Sequence, residues 1–152
     1  MKKIGIVIAT FFGAGHLPVA PGTWASLFTV LIVFFTPLST LPFVFLALIT
    51  AFVYAIGIPA AGLSEKHYQK KDPRACVIDE VAGQLVSLWF LPRQAGFYIA
   101  AFLLFRLLDI IKPYPVNKSE ALPGGIGIMT DDVLAGFYTL AILQGIRYFF
   151  FK

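Results

Sequence analysis

Between Lys3 and Glu65 the chain runs for 61 residues without one Asp, Glu, Lys or Arg. A water-facing surface cannot be built from such a stretch, because soluble domains carry about 25% charged residues spread along the sequence. Over the whole chain charged residues are 13%, hydrophobic residues 59%, and the mean hydropathy is +0.83. The expected class is an all-α, multi-helix integral membrane bundle. The 152 residues suggest a single domain covering 1–152. Disorder and a coiled coil do not fit this composition, and one cysteine excludes a disulfide scaffold. The net charge is +4, but the basic residues form no stripe, so no nucleic-acid partner is expected.

Prolines and polar breaks divide the apolar sequence into helices. Lys2-Lys3 and the run Ile4 to Phe12 resemble the front of a signal peptide. The run is short and its cleavage signal weak, so a retained, membrane-associated segment is expected. Thr23 is placed to cap a helix from Trp24 to about Thr36, ended by Pro37. A run from Pro42 to Leu63 is long enough to cross a bilayer, with Pro59 placed to kink or end it. Asp72-Pro73 reads as a helix cap with proline at the first helical position. Further helices are expected over Val77–Leu91, Gln94–Ile111 and from Asp131 to the C-terminus, with a polar loop from Lys112 to Thr130. The Trp24–Thr36 and Val77–Leu91 helices fall short of the ~20 residues a straight span needs. Trp24 and Trp89 are expected at the two membrane interfaces.

The basic residues orient the bundle. Placing the N-terminus, the 64–76 segment and the 112–130 loop on one side gives that side nine Lys and Arg residues, against Arg93, Arg147 and Lys152 on the other. The richer side is expected to be cytoplasmic. All eight acids lie from Glu65 to Asp132, at helix ends on that same side. Acids near bilayer depth cost about 2.5–3.5 kcal/mol each at a helix centre, so their clustering points to a site.

Each cluster has a chemical reading and a simpler one. Asp79-Glu80 can join a metal site if another helix adds ligands, or can offset a helix dipole. Arg106, Asp109 and Lys112 recur every three residues, which suits either an intrahelical ion-pair ladder or a metal carboxylate flanked by two phosphate contacts. Gly124-Gly125-Ile126-Gly127 leads to Asp131-Asp132 and can cradle an anion, or can be a tight loop capped by Thr130. Oxygen ligands without a Cys/His cluster suit a hard cation such as magnesium. His16 and His67 lack zinc spacing and read as loop residues. Cys76 is not part of a Cys-x5-Arg phosphatase loop, since the sixth residue after it is Ala82. Its apolar neighbours would raise the thiol pKa, so it reads as a packing residue.

Four ordered blocks resemble the bacterial phosphatidylglycerophosphatase A family. They are Ala-Pro-Gly-Thr-Trp-Ala-Ser at 20–26, Asp72-Pro73 with Val77 through Gln84, Phe105 through Pro115, and Gly124 through Asp132 with Ala135-Gly136. Ala25 stands where many members carry glycine. The resemblance implies a magnesium-dependent phosphatase of the bacterial inner membrane, multi-pass, with its site facing the cytoplasm. It would cleave the terminal phosphomonoester of phosphatidylglycerophosphate. It implies Asp79, Glu80, Asp109, Asp131 and Asp132 as metal or catalytic carboxylates; Glu80, Asp79 and Asp131 are the expected catalytic ones, and from the chemistry one carboxylate, expected to be Glu80, would act as general base. Arg106 and Lys112 would contact the substrate phosphate, with Asp72 and Thr23 at the margin. The rival class is a small membrane transporter or channel using the acids for ion binding, which would want ionisable residues near the bilayer midplane.

Overall fold

The computed structural model describes residues 2–119 and 122–150, all of whose regular elements are helical. Glu120, among the acids counted above, and Lys152, used in orienting the bundle, lie outside the described residues. Among the described residues seven α-helices occur: α1 (Lys2–Ala9), α2 (Pro21–Phe35), α3 (Phe43–Tyr68), α4 (Ile78–Ser87), α5 (Ala95–Ile111), α6 (Val116–Ser119) and α7 (Gly125–Phe150). Short 3-10 turns at Ala14–His16 and Pro37–Ser39 link the first ones.

The bundle is built around a short helix, α4. Nine of the ten α4 residues are buried, Glu80 being the half-buried one. α4 packs against α2, α3, α5 and, most extensively, α7. The α4–α7 crossing is close because two glycines face each other. A Cβ on Gly83 would run into the Asp132 carbonyl oxygen, and a Cβ on Gly136 into the Gly83 carbonyl oxygen. Around this axis the chain alternates direction, so that α2, α4 and α7 start, and α3 and α5 end, at one end of the bundle.

Several helix boundaries differ from the sequence expectation. α2 begins at Pro21 with Ala20 as its cap residue, not at Trp24. Proline at the first helical position is pre-set for the helix, so Thr23 falls inside the first turn. α3 continues through Pro59 to Tyr68 instead of ending there. Asp72-Pro73 caps no helix: Asp72 has a left-handed φ of 46°, and α4 starts at Ile78 with Val77 as cap. The reason is tertiary. The Val77 N–H donates to the Ala9 carbonyl (2.8 Å), and Gly15 lies against the Ala75 carbonyl with no room for a Cβ. The chain therefore turns at 74–75, where the Cys76 N–H donates to the Pro73 carbonyl (2.7 Å), and stays non-helical until Val77. α4 also ends at Ser87, short of the expected Leu91.

The largest difference is in α7, which begins at Gly125 and not at Asp131. Gly125 packs against the Ile58 carbonyl of α3, where any side chain would collide. That close packing outweighs the roughly 1 kcal/mol helix penalty of a glycine. Thr130 is no cap. Its hydroxyl donates back to the Ile126 carbonyl (2.6 Å) and meets the Tyr54 hydroxyl (2.9 Å). The glycine stretch is therefore mostly helix rather than loop, and the expected 112–130 loop is interrupted by α6.

Two helices, α3 and α7, are long and apolar enough to cross a membrane, at 26 residues each. α2, α4 and α5 are shorter than a straight span. α5 exposes Ile99, Leu103, Leu107 and Ile110, an apolar stripe along one face, and α3 exposes Phe45, Leu48 and Phe52.

Candidate active site

A cavity of about 300 Å³ opens at the bundle end where α2, α4 and α7 start. All nine residues singled out from the sequence line it, together with Ala20, Pro21, Gly22, Arg74, Cys76 and Ile110. Three of its lining residues, Ala20, Asp72 and Lys112, hold left-handed backbone angles (φ 46–48°) without being glycine. Such conformations are uncommon and concentrate at functional sites.

The acids do not behave as one group. Asp79 and Glu80 from α4 and Asp132 from α7 each bring a carboxylate oxygen within 4.8 Å of the others. Adjacent residues on α4 converge here because α7 supplies the third carboxylate across the glycine crossing. Asp79 Oδ1, Glu80 Oε2 and Asp132 Oδ2 are buried and accept no hydrogen bond. Burial, then the neighbouring Glu80, push the Asp79 carboxyl well above its ordinary range. Burial likewise pushes Glu80 up to about 7, against the pull of its Asp79 hydrogen bond and of Arg106. Three carboxylates with buried, unsatisfied oxygens are costly alone and suit an oxygen-seeking cation. The residues present fit such an ion.

The other two expected metal carboxylates are engaged elsewhere. Asp109 Oδ2 lies 2.7 Å from Arg106 Nη1, and Asp109 also shares a hydrogen bond with Asp132. Arg106 Nη1 is 3.8 Å from Glu80 Oε1, so this side chain spans α4 and its own helix. Asp131 Oδ2 accepts a 2.7 Å hydrogen bond from Lys112 Nζ, and its Oδ1 accepts one from the Asp132 N–H. The expected ladder of Arg106, Asp109 and Lys112 thus splits. Lys112 takes a left-handed backbone as the cap of α5 and turns to α7. Asp131 and Asp132 lie two turns inside α7, where they no longer serve the helix N-terminus as first-turn acids.

Sequence reasoning passed over Gly22. A Cβ there would land on the Glu80 carboxylate, so this glycine gives Glu80 its place. The signal was available as a glycine just after the proline that opens α2. The histidines lie outside the cavity lining, and His16 Nε2 bonds to the Tyr68 hydroxyl at 3.0 Å.

Cys76 is buried at the cavity edge, and burial followed by the charges of Glu80 and Asp72 pushes its thiol up to about 12. A thiol that stays protonated is a poor nucleophile. Cys76→Ser is therefore expected to keep kcat/KM within about twofold, since the packing volume changes little. Phosphate release by the purified variant checks this, and trapping of a phosphocysteine would contradict it.

The Phosphatidylglycerophosphatase A family profile matches residues 7–147. A Bacteroides thetaiotaomicron protein provisionally named phosphatidylinositol-3-phosphatase is 39% identical over 94% of this chain and 93% of its own. The phosphatidylglycerophosphatase A of Haemophilus influenzae is 36% identical, covering 97% and 94%, and that of Escherichia coli 34% identical, covering 90% and 80%. No solved structure matches the chain. A helical bundle with a carboxylate-lined cavity at one end, a match over nearly the whole sequence and these relatives together define a phosphatase. The chain belongs to the phosphatidylglycerophosphatase A family.

Proposed function

We propose that the cavity hydrolyses the terminal phosphomonoester of phosphatidylglycerophosphate, releasing phosphatidylglycerol and inorganic phosphate. The observation that carries this reading is the meeting of three carboxylates with buried, unsatisfied oxygens, Asp79, Glu80 and Asp132, beside Arg106 and Lys112. Asp79, Glu80 and Asp132 would hold magnesium, and Asp109 would support Asp132 from behind. When bound, the ion supplies positive charge against the phosphoryl oxygens and acidifies water. Arg106 and Lys112 bind the phosphoryl oxygens, each leaving a carboxylate partner that holds it in place meanwhile. The starts of α2 and α4, whose first-turn residues line the cavity, add their partial positive charge there. Glu80 takes the proton of the attacking water with the carboxylate oxygen that does not hold the ion.

The bilayer reading rests on α3 and α7, each spanning ~39 Å at 1.5 Å per residue, and on the exposed apolar stripes of α3 and α5. We place the protein in the bacterial inner membrane, with α3 and α7 crossing it. The Lys and Arg excess supports a cytoplasmic side for the cavity, where the head group would enter while the acyl chains stay in lipid. The name of the Bacteroides relative makes phosphatidylinositol 3-phosphate the second substrate to test. Family membership favours catalysis over the transporter or channel reading.

The test is phosphate release by purified protein from each lipid in mixed micelles, with chelator and with magnesium restored. Turnover of phosphatidylglycerophosphate that stops with chelator and returns with magnesium is expected. Release only from the inositol lipid would replace the substrate, and full turnover in excess chelator would remove the metal.

A further inference from the structure

Six acids line the cavity, and three cations accompany them: Arg74, Arg106 and Lys112. Two of the cations are held by carboxylates at 2.7 Å, Arg106 by Asp109 and Lys112 by Asp131. Arg74 is different. Among the described residues it pairs with no acid, and its one side-chain bond is from Nη2 to the Pro18 carbonyl, 3.1 Å away. The rest of the guanidinium is uncommitted, and the residue is exposed at the mouth of the cavity.

Its placement is not left to a loose loop. Arg74 sits in the connector between α3 and α4, a segment clamped to the 9–18 region. The clamps are the Val77 N–H to Ala9 carbonyl bond, the tight seat of Gly15 on the Ala75 carbonyl, and the Pro18 contact itself. A fixed arginine with most of its fork free is suited to an anion with paired oxygens. A lipid such as phosphatidylglycerophosphate carries two phosphates, one glycerol apart. The terminal monoester is the group to be cleaved. The diester, which anchors the acyl chains, must pass a wall of carboxylates that repels it. Arg106 and Lys112 belong to the carboxylate-rich floor where the monoester reacts, which leaves the diester to the one lining cation at the mouth.

We propose that Arg74 is a specificity residue that binds the phosphodiester of the lipid substrate while the monoester occupies the carboxylate end of the cavity. The inference rests on the phosphomonoesterase reading above. It separates recognition of the head group, by Arg74, from the chemistry at Asp79, Glu80 and Asp132. A contact made alike in the bound and transition states changes KM and leaves kcat in place.

The experiment measures KM and kcat for phosphatidylglycerophosphate in mixed micelles, the inhibition constant of inorganic phosphate, and the thermal midpoint. The proteins are the wild type, Arg74→Gln and Arg74→Lys. Loss of a charged hydrogen bond is worth on the order of a tenfold rise in KM. Arg74→Gln is expected to show that rise, with kcat within about twofold and the phosphate inhibition constant and thermal midpoint unchanged. Arg74→Lys, which keeps charge without the fork, should fall between and also reads the effect if Arg74→Gln does not fold. An unchanged KM in both variants overturns the proposal. So does an equal rise in KM and in the phosphate inhibition constant, which would put Arg74 on the monoester. A fall in thermal midpoint together with kcat, at constant KM, would make Arg74 a loop tie to Pro18 only. If the wild type cleaves phosphatidylinositol 3-phosphate but not phosphatidylglycerophosphate, the substrate reading falls. Arg74 is then judged by the same constants on the inositol lipid, which carries the same phosphodiester. If neither lipid is cleaved, both readings fall.

Discussion

Asp132→Asn should abolish phosphate release, by about 100-fold or more, while the protein becomes more resistant to heat in the presence of chelator. Both effects have one origin. Asp132 Oδ2 is buried, unsatisfied and packed within 4.8 Å of oxygens from Asp79 and Glu80. Like charges at that separation in a poorly solvated site repel each other, so the cation-free protein carries strain there. Asparagine keeps the shape, removes one negative charge and relieves the repulsion. It also removes the charge that would hold a magnesium ion, whose contribution to phosphoryl transfer is several kcal/mol. Asp79→Asn should behave the same way. Asp131→Asn is the informative contrast. Asp131 is bound to Lys112 at 2.7 Å and lies outside the three-carboxylate group. Its variant should cost less activity, and raising the magnesium concentration should not restore what is lost, whereas excess magnesium should partly rescue Asp132→Asn. Magnesium titrations of phosphate release, read beside thermal unfolding in detergent, separate these outcomes. An Asp132→Asn protein within twofold of wild type would remove the carboxylate trio from the mechanism.

The placement of the acids shows how far the sequence could be read. That they gather at one bundle end was visible in the pattern of charge along the chain. A 61-residue stretch without charge leaves the ionisable groups few places to be. Their division into three unsatisfied carboxylates and two paired ones was not visible. It depends on the rotation of α7 against α4, and that rotation is set by backbone contact at Gly83 and Gly136 rather than by any side-chain periodicity. Local signals failed where tertiary contacts overrode them. Thr130 and Asp131 have the composition of a helix start, yet α7 begins six residues earlier because Gly125 seats on α3. Asp72-Pro73 has the composition of a cap, yet Val77 is tied to Ala9 and the helix waits. Prolines marked helix ends unevenly, and Pro92 lies five residues past the end of α4. Pro113 stands just past Lys112, the cap of α5, as expected, while α3 runs on through Pro59. Arg74 carried no local signal of its role, since what matters is a carbonyl on another segment, while Gly22 showed only as a glycine after a proline, the carboxylate it makes room for lying on another helix.

The strongest structural prediction concerns that same crossing. Gly83→Ala is expected to lower stability by about 1–3 kcal/mol, the usual range for forcing extra atoms into a packed interior. In isolation the change would favour the helix by up to roughly 1 kcal/mol, because alanine is the better helix former. Packing must therefore overcome propensity for the protein to lose stability, which makes the sign itself diagnostic. The added methyl would meet the Asp132 carbonyl oxygen and the Phe105 ring, neither of which is the loose end of a flexible chain. Phe105 is fully buried, and the carbonyl belongs to the helix that presents Asp132. α7 would have to shift away from α4, carrying Asp132 from Asp79 and Glu80, so activity should fall by more than the stability loss alone explains. Gly145→Ala is the matched control on α7, where a Cβ meets nothing within 4 Å. It should leave activity unchanged and raise or preserve the thermal midpoint. Thermal unfolding and phosphate release for the two variants, measured in the same detergent, decide the matter. A Gly83→Ala protein at least as stable and as active as wild type would mean that the α4–α7 contact does not hold the carboxylates together.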